Sequence, residues 1–367
     1  MEWREPPRAP GVGGSEGGAR HKSEYHSHSV AVVAVSPSAP PPHRPGKLRG
    51  ALAMAWCLLG ASFLAACGGL GPKAQPNRPL QVVTTILPIT VFTKVVAGSC
   101  AKVQPLIPAN RGPHDFQATP NDLVLVSKAD VLVKNGLGLE TFLDKLITSA
   151  DNPNLKVIDS SRGVATLGNP EEELGHDHDH DHDHAHDHGS VNPHIWLDPV
   201  LAEQQVNTIR DGLIAAKPAC KTQFMANAAA FTAQLRILDT ELAAQFKPFF
   251  GKTFVVFHDF HAYFAKRYGL KGTFVVDVPE ENPTPDDLKR VASTAQKSQL
   301  KALLTEPQEG AGPFEALAKD LGVKVGEFDS METGPEMAQQ PASYFLVMRR
   351  NAKALVNAFG GRTLGAG

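Results

Sequence analysis

Cysteine is scarce in this chain, with four in 367 residues. Cys57, Cys67, Cys100 and Cys220 are too few and too scattered for a disulfide framework or a Cys-based zinc finger. An excess of one charge is also missing. The 36 basic and 38 acidic residues leave a formal net charge of −2. That balance argues against a nucleic-acid footprint, so no nucleic-acid partner is expected. Only one apolar run, 51–66, approaches membrane length. Phe, Leu, Ile and Val are nevertheless too plentiful for a disordered chain. The length exceeds that of one usual compact domain, which leaves a soluble body of two lobes or one large domain. What is abundant is histidine: there are 15, and seven lie between His176 and His188.

Residues 1–46 are rich in Pro, Gly, Ser and Ala without apolar periodicity, too little to offset the entropy of ordering. They read as a disordered or untranslated extension. Lys47 and Arg49 precede the apolar run, whose length suits a secretory signal rather than a span of roughly 20 residues. The run ends Leu64-Ala65-Ala66-Cys67-Gly68, which resembles a bacterial lipobox, cut before a Cys that is then lipidated. The alternative is a signal anchor that is never cleaved. Residues 1–66 are therefore expected to be extension and signal, and 67–79, with three prolines and a Gly-Gly, a flexible tether.

Beyond the tether, strands alternate with helices. Strands are expected at 80–85, 103–107, 131–133 and 156–158. Helices are expected at 88–97, from Pro120 to about Lys128 behind the cap Thr119, and at 139–150. This alternation predicts an α/β lobe with a mainly parallel sheet, over 80–217. A helix at 199–216 follows. Lys221 to about Phe246 then supports one long helix with Phe224, Ala228, Phe231, Leu235, Leu238 and Leu242 on one face. Its 26 residues would reach about 39 Å, enough to connect two lobes, so 218–247 is assigned as the connector. The second lobe, 248–367, repeats the logic. Its strands are expected at 253–257, 273–276, 302–304 and 324–328, and its helices at 263–268, 285–298 capped by Thr284, and 314–321.

Four polar residues fall where strands stop or a helix begins: His114, His194, His258 and Asp329. Ligands of open α/β sheets bind beyond the carboxyl ends of strands, so these positions could converge on one cleft between the lobes. Their separations exclude a local zinc-finger loop, and the site would have to be assembled by the whole fold. Three imidazoles and a carboxylate complete a tetrahedral shell for a borderline-soft divalent ion, and a closed shell favours binding over hydrolysis. Taken singly, each histidine could equally be a hydrogen-bonded core or surface residue.

The motifs Pro113-His114-Asp115-Phe116, the stretch from Ala129 to Glu140, Asn192-Pro193-His194-Ile195-Trp196-Leu197-Asp198-Pro199, and Phe257-His258-Asp259 with Tyr263-Phe264 resemble those of the zinc- and manganese-binding receptor lipoproteins of ABC-type importers. The resemblance runs from about Leu80 to Gly360. It implies two α/β lobes joined by one long helix, with the metal between them. It carries His114, His194, His258 and Asp329 over as ligands, Asp329 on a looser Asp-Ser pattern with Glu306 in Thr305-Glu306-Pro307 as a competing carboxylate. It implies a non-enzymatic Zn²⁺ receptor, monomeric and lipid-anchored through Cys67 outside the cytoplasm. Its partners would be an ABC permease and the permease's ATPase. A manganese receptor, a zinc hydrolase with water on the three histidines, and an adhesin that also binds metal are the rival readings.

The insert 175–189 alternates His176, His178, His180, His182, His184, His186 and His188 with five Asp and one Ala. Such spacing cannot bury anything, so a solvated loop is expected, with imidazoles available weakly to several ions or serving only as a spacer. Similar inserts mark the zinc-preferring members of the family. Cys100 and Cys220 could pair in an oxidising compartment, and each could equally be a small buried hydrophobe.

Overall fold

The computed structural model describes residues 78–168, 191–279 and 281–361. The extension, signal and Cys67 expected at the N-terminus lie outside them, as does the His-Asp insert. No helix among the described residues is long and apolar enough to cross a membrane.

The first lobe is built on β1 (Leu80–Thr84), β2 (Ala101–Pro105), β3 (Val131–Lys134) and β4 (Lys156–Asp159). They form one sheet in the order β2-β1-β3-β4, with every neighbouring pair parallel. Parallel strands are covered on both faces, and Val131, Leu132 and Val133 are accordingly a fully buried apolar run. Helices α1 (Leu87–Ala97), α2 (Pro120–Ser127) and α3 (Leu143–Ala150) make the crossovers. The third starts later than its periodicity predicts. Glu140, expected inside it, instead turns its carboxylate onto the N–H groups of Asn135 (2.7 Å) and Gly136 (3.0 Å) and onto the Thr85 hydroxyl (2.6 Å). These bonds hold 135–140 as a loop, in which Gly136, Leu137 and Gly138 all have positive φ.

Helix α4 (Pro199–Ala216) is capped by Asp198, whose side chain accepts from Val200 N–H (2.8 Å), and Pro199 occupies its first turn. The connector α5 runs Lys221–Phe246, and its buried stripe includes the six apolar residues that the spacing selects, extended by Phe246. Cys100 and Cys220 form a disulfide with Cα atoms 6.3 Å apart, joining the end of α1 to the start of the connector.

The second lobe contains β5 (Thr253–Val255), α6 (Ala262–Arg267), β6 (Lys271–Thr273), α7 (Pro285–Lys297), β7 (Ala302–Thr305), α8 (Gly312–Leu321) and β8 (Lys324–Glu327). Its strands pair in parallel as β5-β6 and β7-β8. The strand expected at 273–276 is shorter and earlier. The amides of Val275 and Val276 both bond the Phe257 carbonyl, which breaks the regular ladder and leaves a lone bridge between His258 and Val276. A last helix, α9 (Pro341–Ala358), has no counterpart in the sequence expectations, although Tyr344, Phe345, Met348, Ala352, Leu355 and Val356 bury one face at helical spacing.

The two lobes share apolar contacts rather than meeting at a wet seam. One buried cluster includes Val82 and Val131 from the first sheet, Phe92 of α1, Phe231 and Phe246 of the connector, and Phe254, Phe328 and Tyr344 of the second lobe. Phe92 lies 5.8 Å from Phe231 and 5.2 Å from Tyr344, ring to ring. Lobes joined by a large apolar interface have little freedom to hinge.

Candidate metal centre

Four loops deliver side chains to one point. His114 lies beyond β2, His194 precedes the short turn Ile195–Leu197 ahead of α4, His258 lies beyond β5, and Glu332 lies beyond β8. One donor atom from each falls within 4.8 Å of every other. Glu332 Oε1 is 2.9 Å from His114 Nε2 and 3.1 Å from His194 Nε2, and Glu332 Oε2 is 3.4 Å from His258 Nε2. A tetrahedral zinc shell with bonds of about 2.0–2.1 Å has donor separations of roughly 3.3–3.4 Å. The carboxylate–imidazole spacings bracket that value. His258 Nε2 and Glu332 Oε2 are fully buried and have no hydrogen-bond partner. Buried polar atoms are rarely left so, and a cation between them would satisfy both.

The structure brings together the three predicted histidines but not Asp329. The Asp329 carboxylate pairs with Arg350 on one oxygen and accepts from Met331 N–H (2.8 Å) on the other. Its backbone is bonded in both directions to the Asn351 side chain, each bond 2.8 Å. Asp329 thus fastens the turn to α9. Met331 then takes a left-handed backbone, φ 63°, and the chain presents Glu332 to the histidines. The same turn is tied to the first lobe on either side of Glu332. Trp196 Nε1 donates to the Ser330 carbonyl (2.8 Å), and Gly334 N–H donates to the Ala109 carbonyl (2.7 Å). Sequence reasoning passed over Glu332; its only signal was a third carboxylate in the segment Glu327–Glu332, with nothing in the spacing to prefer it.

Glu306, the competing carboxylate, has a different place. Its Oε1 bonds His258 Nδ1, while Oε2 accepts from Ser330 Oγ (2.5 Å) and Gln308 Nε2 (2.8 Å). With two donors already on Glu306 Oε2, Nδ1 is the donor of the shared bond, and Nε2 is the atom turned toward Glu332. Asn192 does the same for His194: its Oδ1 accepts from His194 N–H (3.1 Å) and faces Nδ1 at 3.0 Å. Partners of this kind fix imidazole orientation and raise ligand basicity. Farther out, Asn135 donates to the Pro193 carbonyl (3.0 Å) and accepts from Gln205 (3.0 Å), so the Asn135–Glu140 loop also supports the His194 segment.

The electrostatics match a cation site. Burial raises the Glu332 pKa, but His114, His194 and His258 outweigh it and hold the carboxyl well below the usual range. Burial, with smaller contributions from His258 and His114, lowers the His194 pKa against the pull of Glu332. For His258, burial works toward the neutral form, but Glu306 and Glu332 prevail and raise its pKa well above the ordinary imidazole value. Asp329 is pushed up to about 6, chiefly by burial.

Two α/β lobes on one long helix, with a group of four donors that could hold a cation drawn from both, define the class of two-lobed solute receptors. Within that class the chain belongs to the family described as zinc-uptake complex component A, periplasmic, whose model matches residues 82–358. It is 33% identical over 298 residues to the zinc-binding lipoprotein AdcA of Streptococcus pneumoniae, covering 80% of this chain and 58% of that relative's length. It is 30% identical over 314 residues to the high-affinity zinc uptake system protein ZnuA of Bacillus subtilis, covering 84% of this chain and 97% of that protein. The crystal structure of Zn(II)-bound AdcA from Streptococcus pneumoniae superposes with a TM-score of 0.66 at 29% identity, covering 78% of this chain and 60% of that one.

Proposed function

We propose that this chain is an extracytoplasmic receptor that captures Zn²⁺ through His114, His194, His258 and Glu332 and delivers it to an ABC-type importer. The observation that carries the reading is the convergence of those four donors, buried and drawn from both lobes, with two of their atoms lacking any hydrogen-bond partner. Three imidazoles and one carboxylate suit zinc, and four protein donors fill a tetrahedral shell, which favours holding the ion over activating a water. The zinc-binding and zinc-uptake names of the relatives support the same cargo. In this reading the protein is a monomer, lipidated Cys67 tethers it to a membrane, and a permease with its ATPase receives the ion.

Titration of the chelator-stripped protein with Zn²⁺, in competition with a chelator of known affinity, tests the site. One tight equivalent is expected in the wild type and in Asp329→Asn, and its loss is expected in His258→Ala and Glu332→Ala. Retention of the tight equivalent in Glu332→Ala, with loss in Asp329→Asn, would return the fourth position to Asp329. Retention in His258→Ala would refute the site.

A further inference from the structure

Tyr263, on α6 of the second lobe, has no assigned part in the chemistry, yet it reaches across the cleft. Its ring is buried with Val164 and Ile195 of the first lobe, in a cluster separate from the main core. Its hydroxyl donates to the Asn192 carbonyl (2.7 Å) and accepts from Leu167 N–H (3.0 Å). Asn192 N–H donates to the Leu167 carbonyl (3.0 Å), so the one hydroxyl closes on two segments that are already bonded to each other. Asn192 is the residue whose Oδ1 holds His194. Its Nδ2 crosses back to the second lobe, donating to the Asp259 carbonyl (3.0 Å) and carboxylate (3.1 Å), beside His258. Asn192 thus uses both side-chain polar atoms, its N–H and its carbonyl, and links one candidate ligand from each lobe.

We infer that Tyr263 is a positioning residue: its hydroxyl latches the second lobe to the backbone of Asn192, keeps His194 and His258 in register, and so sets how slowly zinc leaves. The inference rests on the proposed zinc site and adds to it a group that touches no metal. Without the hydroxyl, the Asn192 carbonyl and the Leu167 amide both lose a buried partner, and the Asn192 segment is free to shift with His194. The loss should appear in release rather than in capture, because the latch acts once the donors have closed and affinity differences within one site lie mostly in the off-rate.

The test is stopped-flow release of zinc from the full chain into excess chelator, comparing wild type, Tyr263→Phe, Tyr268→Phe and His258→Ala. Tyr268 is the control: it is also a buried tyrosine of this helix region, but its hydroxyl faces Asp239 on the connector at 3.4 Å. Tyr263→Phe should release zinc about tenfold faster, as expected for one buried hydrogen-bonding group, with an unchanged on-rate and one tight equivalent. Tyr268→Phe should release at the wild-type rate. Amide hydrogen exchange of unmodified protein supplies a second reading: the Leu167 amide should be better protected with zinc than without. Wild-type release from Tyr263→Phe, equal acceleration by Tyr268→Phe, or identical Leu167 protection in both states would each overturn the latch. Tight binding retained in His258→Ala would instead overturn the site on which it rests.

Discussion

Breaking the Cys100–Cys220 disulfide should destabilise the zinc-free protein strongly while leaving its zinc stoichiometry intact. The two cysteines are 120 residues apart in sequence, and the loop they close carries His114 and His194. In the chain-entropy treatment a loop of that length restricts the unfolded state by about 4.9 kcal/mol at 25 °C. The body from 78 to 361 is roughly 280 residues, for which the entropy of unfolding is about 0.6 kcal/mol/K. The expected fall in melting temperature is then about 8 °C. The comparison is between wild type and the double variant Cys100→Ser/Cys220→Ser, melted with chelator present so that bound zinc does not mask the difference. Zinc titration of both should give one tight equivalent, since the donors are oriented by Glu306 and Asn192 rather than by the cross-link. A drop below about 2 °C would refute the reasoning, because it would mean that the unfolded chain is no less restricted once the cross-link is gone.

Three further outcomes follow from the site. Glu306→Gln should weaken zinc binding by roughly 10–100-fold, as loss of a carboxylate behind a ligating imidazole does, and competition titration against a chelator measures it; unchanged affinity would show that Glu306 does not tune His258. The pKa of His258, lowered by burial but raised further by Glu306 and Glu332, lies well above the ordinary value, so the folded zinc-free protein keeps a proton that the unfolded chain sheds. That contribution to apo stability is complete below the unfolded imidazole pKa of about 6.5 and is lost as pH rises through the raised folded value. Zinc must displace the same proton, so apparent affinity should climb by close to tenfold per pH unit below that folded value; calorimetry in buffers of different ionisation enthalpy reads the released proton, and none released would contradict the assignment. Deleting 175–189 should remove extra weak zinc equivalents and spare the tight one, and loss of the tight equivalent would move the primary site into the insert.

The parts of the fold most legible in the sequence were those whose burial follows one period. The connector is the clearest case, because Phe224 through Leu242 mark a stripe that only a helix of that length can present to both lobes. The central strand β3 was legible because a parallel sheet buries both its faces and leaves the unbroken run Val131-Leu132-Val133, whereas the half-exposed edge strand β2 lies two residues earlier than the expected 103–107. The start of α3 was not, because Leu139 and Glu140 fit a helical pattern while the Glu140 carboxylate finds three donors across the loop. The cysteine pair was not legible either, since 120 residues of intervening chain say nothing about which two ends the fold brings together.

At the candidate site the division is sharper, and it follows from what holds each candidate ligand in place. Two of the histidines have their second nitrogen held by a neighbour: His194 follows Asn192 by two residues, and His258 lies three residues past the end of β5 against Glu306. The carboxylate comes from a turn whose geometry is set elsewhere, by Arg350 and Asn351 of α9, by Trp196 and Ala109 of the first lobe, and by the left-handed backbone at Met331. None of these lies near Asp329 in sequence except Met331. Two carboxylates three residues apart therefore take opposite roles: Asp329 holds the turn, and Glu332 reaches the imidazoles because Asp329 does not. Exchanging the two side chains would not exchange the roles. A shorter aspartate at 332 would stop one methylene short of Nε2, and a glutamate at 329 would have to find Arg350 and the Met331 amide with a longer arm. The double variant Asp329→Glu/Glu332→Asp, with the same composition and net charge, should bind zinc at least tenfold more weakly than wild type. Equal affinity would mean that the turn adapts to either carboxylate and that its anchoring to α9 has no bearing on the site.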